Sequence, residues 1–482
     1  MQLAARRVPR WQMVLYSSGS LSVALSYQAF ATFIQFLYID VFGLRAAAVG
    51  VVWSLYGIWN AVNDPLAGYW SDRTRTRWGR RIPWIAALFL PLAVSFYFLW
   101  APPRTVVDGP SRNLLLYFLV LVLSFDLLWT LVVMNWTALF PEMVPDERQR
   151  ATVSGWRQIF SIVGLLVGVA LPPLLAGADW SGRGSMALLL SVVTAFFFAT
   201  SLLGSREREL APQQEALGFR AALRATLNNR DFRSFLAANL AIQFIFMMLT
   251  ATTPFYTKYV LRIQGPLTIP VLGVSLDVGT QTSLFLGVAF LAAFAAMPLW
   301  TLLAQRWGAW RTLRSVCLYC MAALLLFFLP GDFYSGLLVV VIFGLGLAGL
   351  LMLTDLLIAD VVDQDELQTG QRREGMFFGM NGFVIRFAFT LQGIISGAFL
   401  ELSGYITPTA GVLYPEQPAA ALWGMRLLIG GLPALAALTA FFILRSYALH
   451  GERLATVQEA VALLHSGKSP ALATGLEAPL SG

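Results

Sequence analysis

Asp64 and Asn60 stand four residues apart in "GIWNAVNDPLAGYW", within a stretch otherwise fit for a membrane interior. Four residues is about one helical turn, so carboxylate and amide share a face. Together they offer oxygen ligands for one cation, or a titratable acid for a proton. An ionised carboxylate in a bilayer core costs about 2.5–3.5 kcal/mol on insertion scales, so such residues line a pathway or pair with a base. Two further acids lie in apolar runs. Asp126, in "SFDLLWTLVVMNW", reads either as a second acid of the same site or as a cap on a contact between bundles. Asp355, in "GLLMLTDLLIAD", reads as a coupling acid or as a partner for Arg157 or Arg386, the two bases deep in apolar runs. Those arginines either neutralise the acids or hold an anionic or hydroxylated solute, since the planar guanidinium fork suits such groups. Ser18, Ser22 and Ser26 repeat at four-residue spacing near Tyr27, Gln28 and Gln35. That polar stripe suits a water-filled cavity or close helix packing. Trp136, Asn135 and Asn381 complete the candidates for holding a solute.

These residues need a membrane scaffold to position them. The chain has 482 residues, 57% hydrophobic and 12% charged, against about 25% charged in soluble domains. Its apolar residues fall into long runs, the mark of an all-α polytopic membrane protein. Twelve spans are expected, at 13–38, 46–70, 83–101, 113–138, 152–176, 186–204, 235–260, 282–304, 313–330, 336–359, 375–403 and 420–446. Proline, glycine and charge mark the breaks, as in "APPRTVVDGPSR" and "LPGDFYSG". Residues 1–204 form a six-helix bundle and 235–447 a second one. A connection at 205–234 joins them, and a tail covers 448–482. Within the connection, "FRAALRATLNNRDFRSF" reads as a basic amphipathic helix. "GERLATVQEAVALLH" reads as another in the tail.

The net charge of +7 follows the positive-inside rule rather than nucleic-acid binding. Arg and Lys concentrate in the N-terminus, the tail and the even-numbered connections. Arg73, Arg75, Arg77, Arg80 and Arg81 lead this pattern. Both termini are therefore expected in the cytoplasm of a cell-membrane protein. Asp40, Glu142, Asp360, Asp363, Asp365 and Glu366 lie at span ends. With Asp72, Arg73, Arg80 and Arg81 they are expected to form cytoplasmic pairs that hold the gate. Two cysteines, Cys317 and Cys320, sit within one span and read as packing. The histidines, His450 and His465, lie in the tail. No HExxH, GxSxG or nucleotide-binding motif occurs, so no enzyme, cofactor, metal or ATP-driven pump is expected. "DPLAGYWSDR" (Asp64 to Arg73) aligns with "MPLWTLLAQR" (Met297 to Arg306) at the end of the second span of each half. Such a repeat marks duplicated transporter architecture with a site between the halves.

The stretch from Gly68 to Arg81, with its G-x-x-x-D-R and W-G-R-R elements, resembles the loop motif of the major facilitator superfamily. The preceding "NDP", the following "PW", "YIDVFG" (Tyr38 to Gly43), the "NRDF" entry to span seven and "ADVVDQDELQTGQRREGMFFG" (Ala359 to Gly379) narrow the likeness. The chain is similar to the glycoside–pentoside–hexuronide:cation symporter family, the melibiose permease family. The resemblance implies two six-helix bundles and alternating access between them. It also implies a helix II acid pair, which here is Asn60 and Asp64, and a helix IV acid, which here is Val133. The family's sugar-holding acid falls at Ala24 and its stacking tryptophan at Thr137, while its basic positions survive as Arg157 and Arg386.

The expected function is secondary transport of a small polar or amphipathic solute, a sugar or glycoside by family default. The chain acts as a monomer, with a proton favoured over sodium as the coupling cation. A lysolipid or anionic-solute carrier, an uncoupled uniporter and a non-transporting sensor or scaffold remain as alternatives. Ser22, Tyr27, Trp136, Arg157, Asn381 and Arg386 are assigned to the solute, and Asn60, Asp64, Asp126 and Asp355 to coupling.

Overall fold

The computed structural model describes residues 8–144, 147–207, 228–269, 274–370, 374–409 and 412–465. The first half contributes α1 (Arg10–Phe36), α2 (Ala46–Arg73), α3 (Ile82–Trp100), α4 (Ser111–Met143), α5 (Glu147–Ala176) and α6 (Arg183–Gly204). The second contributes α7 (Arg230–Phe255), α8 (Val278–Trp307), α9 (Ala309–Leu325), α10 (Phe333–Thr369) and α11 (Glu374–Leu402). Helix α12 is composite, running through Ala419–Arg426, a π-helical turn at Leu427–Gly431 and Leu432–Ile443. An amphipathic α13 (Glu452–His465) follows. A hairpin of β1 (Leu267–Ile269) and β2 (Val274–Leu276) lies between α7 and α8.

Among the described residues, eleven helices are long and apolar enough to cross a membrane. The remaining long one is α2, which carries Asn60, Asn63 and Asp64 in its middle. Each expected span is thus a helix. The largest difference is at α10, which runs on to Thr369 rather than ending near residue 359. Val361 and Val362 stay buried on that extension, so packing carries the helix past the apolar run. Gly370, at φ 67°, then ends it in the left-handed region that glycine favours. Residues 219–227 of the expected connecting amphipathic helix lie outside the described residues; its end, from Arg230, opens α7.

Side-chain caps fix three helix starts. Asn229 caps α7, Asp277 caps α8, and Asp332 accepts from the backbone N–H groups of Tyr334 (2.9 Å) and Ser335 (3.0 Å) to cap α10. The Ser335 N–H and hydroxyl hold the Asp332 carboxyl below its ordinary range. The stability it adds is therefore present above the usual carboxylate pKa and is lost as pH falls through the lower folded value. Asp332→Ala is expected to cost about 1 kcal/mol and Asp332→Asn less. Thermal melting in detergent checks both.

Packing defines two bundles. In the first, α1 lies against α5 and α6, α3 against α4 and α6, and α2 against α4. In the second, α8 and α9 pack on α10, and α7 packs on α11 and α12. Gly164 and Gly168 let the α5 backbone ride on that of α1 at Leu21 and Leu25, where any Cβ would clash with a carbonyl oxygen. The main contacts between bundles among the described residues are α1 with α7, α2 with α11, and α5 with α8. Cys317 and Cys320 are buried in α9, with Cys320 Sγ against Gly346.

Candidate functional site

The α2–α11 contact is a regular antiparallel seam. It starts at the face bearing the α1–α2 and α11–α12 connections, where Arg45 pairs with Glu401 at 2.8 Å. Gly50 then lies on Gly397, Gly393 on the Trp53 indole and Gly57 on Thr390. A Cβ at Gly393 would fall within the Trp53 ring, so glycine is required for this approach. The seam ends on Arg386, whose guanidinium forms an ion pair with Asp64 and donates to the Asn60 carbonyl at 3.4 Å. An arginine of one bundle thus meets a carboxylate of the other at the end of this run of contacts.

Behind this pair stands a second carboxylate. Asp126, on α4, accepts from Tyr56 Oη (3.2 Å) and Asn60 Nδ2 (2.9 Å) on one oxygen. Its other oxygen accepts from Asn63 Nδ2 at 2.7 Å. Asn63 also donates to Thr130 at 3.1 Å. Tyr56, Asn60, Asn63 and Asp64 follow helical spacing, which turns all four toward the same side of α2. Donating their amide nitrogens to Asp126 leaves Asn60 Oδ1 and Asn63 Oδ1 buried without partners among the described residues, and Asp64 Oδ1 is likewise unpartnered there. Two carboxylates therefore face one guanidinium, and three oxygens stand ready to accept.

Aromatic rings wall the cluster. Phe389, one turn beyond Arg386, packs on Tyr56 (5.4 Å between centroids), Trp53 (5.8 Å) and Phe30 (6.0 Å). Tyr27 lies between Trp129 (5.3 Å) and Phe389 (6.2 Å).

The structure thus brings together Asn60, Asp64, Asp126 and Arg386, with Tyr27 in the adjoining wall. It sets the other sequence candidates apart. Arg157 lies over the rings of Trp136 (4.6 Å) and Phe140 (5.0 Å), with no ion pair among the described residues. The Trp136 indole donates to Ser201 at 2.7 Å. Ser22 donates to the Thr194 carbonyl (2.7 Å) and is committed to α6. Asn381 accepts from Asn239 of α7 at 2.5 Å. Asp355 is exposed on α10 and has no partner among the described residues, so the pairing with Arg157 or Arg386 is not formed. Sequence reasoning missed Asn63, Tyr56 and Thr130. The signal was the N-x-x-N-D spacing itself, which puts two amides and an acid within one turn.

At the opposite face, Arg80, Arg81 and Ile82 turn their backbone N–H groups toward the Glu207 carboxylate (2.8, 2.9 and 3.4 Å). Arg73 ends α2 exposed, Asp363 is half-buried and Glu366 buried near the end of α10. The side chains of Asp72 and Glu142 lie outside the described residues. Asp40 does not join this group. It sits just beyond the far end of α1, an odd-numbered span, and pairs there with Lys258 in the turn that follows α7.

A family model described as MFS/sugar transport protein matches residues 15–451. The chain belongs to the major facilitator sugar-transport family. It is 26% identical to an uncharacterized symporter of Synechocystis, over 90% of this chain and 93% of that protein. It is 25% identical to the isoprimeverose transporter of Lactiplantibacillus pentosus, over 83% and 81% respectively. The nucleoside transporter NupG, in its D323A form, shares the fold at TM-score 0.63 and 13% identity, covering 90% of this chain and all of NupG. As a major facilitator protein the chain is a multi-pass membrane transporter, not an enzyme. Transporters of this architecture hold their solute between the two halves.

Proposed function

We propose that the chain is a symporter that moves a small polar solute, a glycoside in the first instance, by alternating access, driven by one monovalent cation. The observation that carries this is the Asp64–Arg386 ion pair, which joins the two bundles at the inner end of their seam. With Asp126 the cluster holds one more negative than positive charge, so a single cation balances it. A proton needs only the free oxygen of Asp64, and adding it there removes the charge that holds Arg386. One tie between the bundles is then released. Released Arg386, with Arg157 above Trp136 and Tyr27 in the wall, supplies the groups a hydroxylated solute meets. With both termini in the cytoplasm of the cell membrane, the Arg45–Glu401 end of the seam is external. Asp72, Arg73, Arg80, Arg81, Asp363 and Glu366 then serve the cytoplasmic gate of a monomer.

A second reading has a specific observation behind it. The unpartnered oxygens of Asn60, Asn63 and Asp64 are ligands of the type a hard cation takes, which favours sodium. Reconstituted protein decides between them, using a panel of glycosides that includes isoprimeverose. Uptake is expected to respond to an imposed pH gradient and to change little with sodium at fixed pH and potential. Steep, saturable sodium dependence overturns the proton reading in favour of sodium. Indifference to both gradients leaves a uniporter.

A further inference from the structure

Helices α1 and α7, first in their respective halves, end alike. Each closes with a π-helical turn, Leu37–Val41 and Tyr256–Val260. Each turn is sealed by matching main-chain bonds: Phe42 N–H to Leu37 O and Leu44 N–H to Tyr38 O in one, Leu261 N–H to Tyr256 O and Ile263 N–H to Thr257 O in the other. Each is followed by a residue in the left-handed region, Gly43 at φ 73° and Arg262 at φ 54°. Each is also pinned to its own bundle by a tyrosine, Tyr38 Oη to the Leu99 carbonyl (3.1 Å) and Tyr256 Oη to the Phe327 carbonyl (2.8 Å). In this backbone register Asp40 of the first half is equivalent to Tyr259 of the second.

Those two equivalent residues meet. Asp40, its side chain wholly buried, accepts from Tyr259 Oη at 2.5 Å on Oδ1 and pairs with Lys258 through Oδ2. Tyr405, just beyond α11, also donates to Oδ1 and lies 3.2 Å from the Tyr259 hydroxyl. One acid of the first bundle is therefore held by three groups of the second. The Arg45–Glu401 pair on the same face is exposed at its arginine and is worth little. The buried Asp40 cluster is of another order, because parting the bundles strands its charges.

We propose that Asp40 with Lys258, Tyr259 and Tyr405 is the latch of the gate at this face, and that its opening sets the population open on that side. Because each terminal turn is pinned to its own bundle, pulling the latch apart moves whole bundles rather than fraying two helix ends. This goes beyond the coupling proposed above: the latch lies at the far end of α1 from the connection that carries the arginine cluster, and its test needs neither solute nor coupling ion.

The experiment uses the full chain with reporter cysteines at Thr105 and Gly331, in the α3–α4 and α9–α10 connections of the two bundles. Both native cysteines are buried, so they label little. Distances between the two probes are measured by double electron–electron resonance in lipid nanodiscs without solute. Asp40→Asn and Lys258→Met are each expected to raise the long-distance population by about tenfold or more over the unsubstituted chain. Tyr405→Phe, which removes one donor and keeps the ring, is expected to give a smaller shift in the same direction. It serves where the charge variants fail to fold. Unchanged distance distributions in folded Asp40→Asn or in Tyr405→Phe overturn the proposal. A shift in all three, whatever the outcome of the transport assays, sustains it.

Discussion

Arg386→Ala is expected to reduce solute uptake to background while the chain still inserts and folds. The loss has two sources. Removing the guanidinium takes away the group offered to the solute, and it leaves Asp64 and Asp126 facing each other without a counter-charge. Breaking one side of a buried ion pair typically costs about 3–5 kcal/mol. This pair is partly open, with side chains 25% and 38% exposed, so about 2–3 kcal/mol is the reasonable scale, or about 30- to 150-fold in an equilibrium. Arg386→Lys keeps the charge and loses the fork. It is expected to retain part of the activity if charge alone is needed and little if two parallel hydrogen bonds are. The double variant Arg386→Ala with Asp64→Asn separates the sources. Solute exchange restored in the double variant assigns the arginine to charge balance; exchange still absent assigns it to the solute. Equal uptake by Arg386→Ala and the unsubstituted chain would reduce the residue to packing.

Much of the scaffold was readable from residues alone. Runs of apolar residues fix helices in a membrane because every backbone group must find its partner within the segment, so span positions follow from composition. Helix ends were less legible. The α10 extension depends on Val361 and Val362 finding neighbours, which no local pattern states. Asp64 and Asp126 were recognisable as costly acids, yet the choice between one shared site and a separate contact between bundles was not: α2 and α4 are far apart in sequence, and only packing brings Asn60 and Asn63 to Asp126. Arg386 was visible as a base needing a partner, whereas its choice of Asp64 over Asp355 is set by the glycine-spaced register of the α2–α11 seam. Asp40 is the instructive error. Grouped by charge it looked like a member of the cytoplasmic set, but counting spans places the end of α1 on the other face. There it meets Lys258.

Asp64→Asn is expected to abolish accumulation against a gradient and to leave solute exchange within about threefold of the unsubstituted chain. The amide has nearly the shape of the acid and does not titrate. With it in place, Asp126 and Arg386 balance each other, and the cluster no longer calls for a cation. Coupling then fails for want of charge, not for want of a site, because Arg386 and the aromatic wall of Tyr27, Trp129 and Phe389 remain. Proteoliposomes loaded with unlabelled solute measure exchange, and the same vesicles under an imposed cation gradient measure accumulation. Accumulation equal to that of the unsubstituted chain makes Asp64 a structural anchor for Arg386. Loss of exchange together with accumulation assigns the acid to holding the arginine in position for the solute. Only the split between the two assays supports coupling, because a residue that merely shapes the site has no means of stopping one process and sparing the other. The split also bears on which ion is used. If Asp64→Asn loses its response to a pH gradient while sodium still supports accumulation, the oxygens of Asn60 and Asn63 are the cation ligands and the carboxylate is dispensable to them. If both responses vanish together, the coupling ion resides on Asp64 itself.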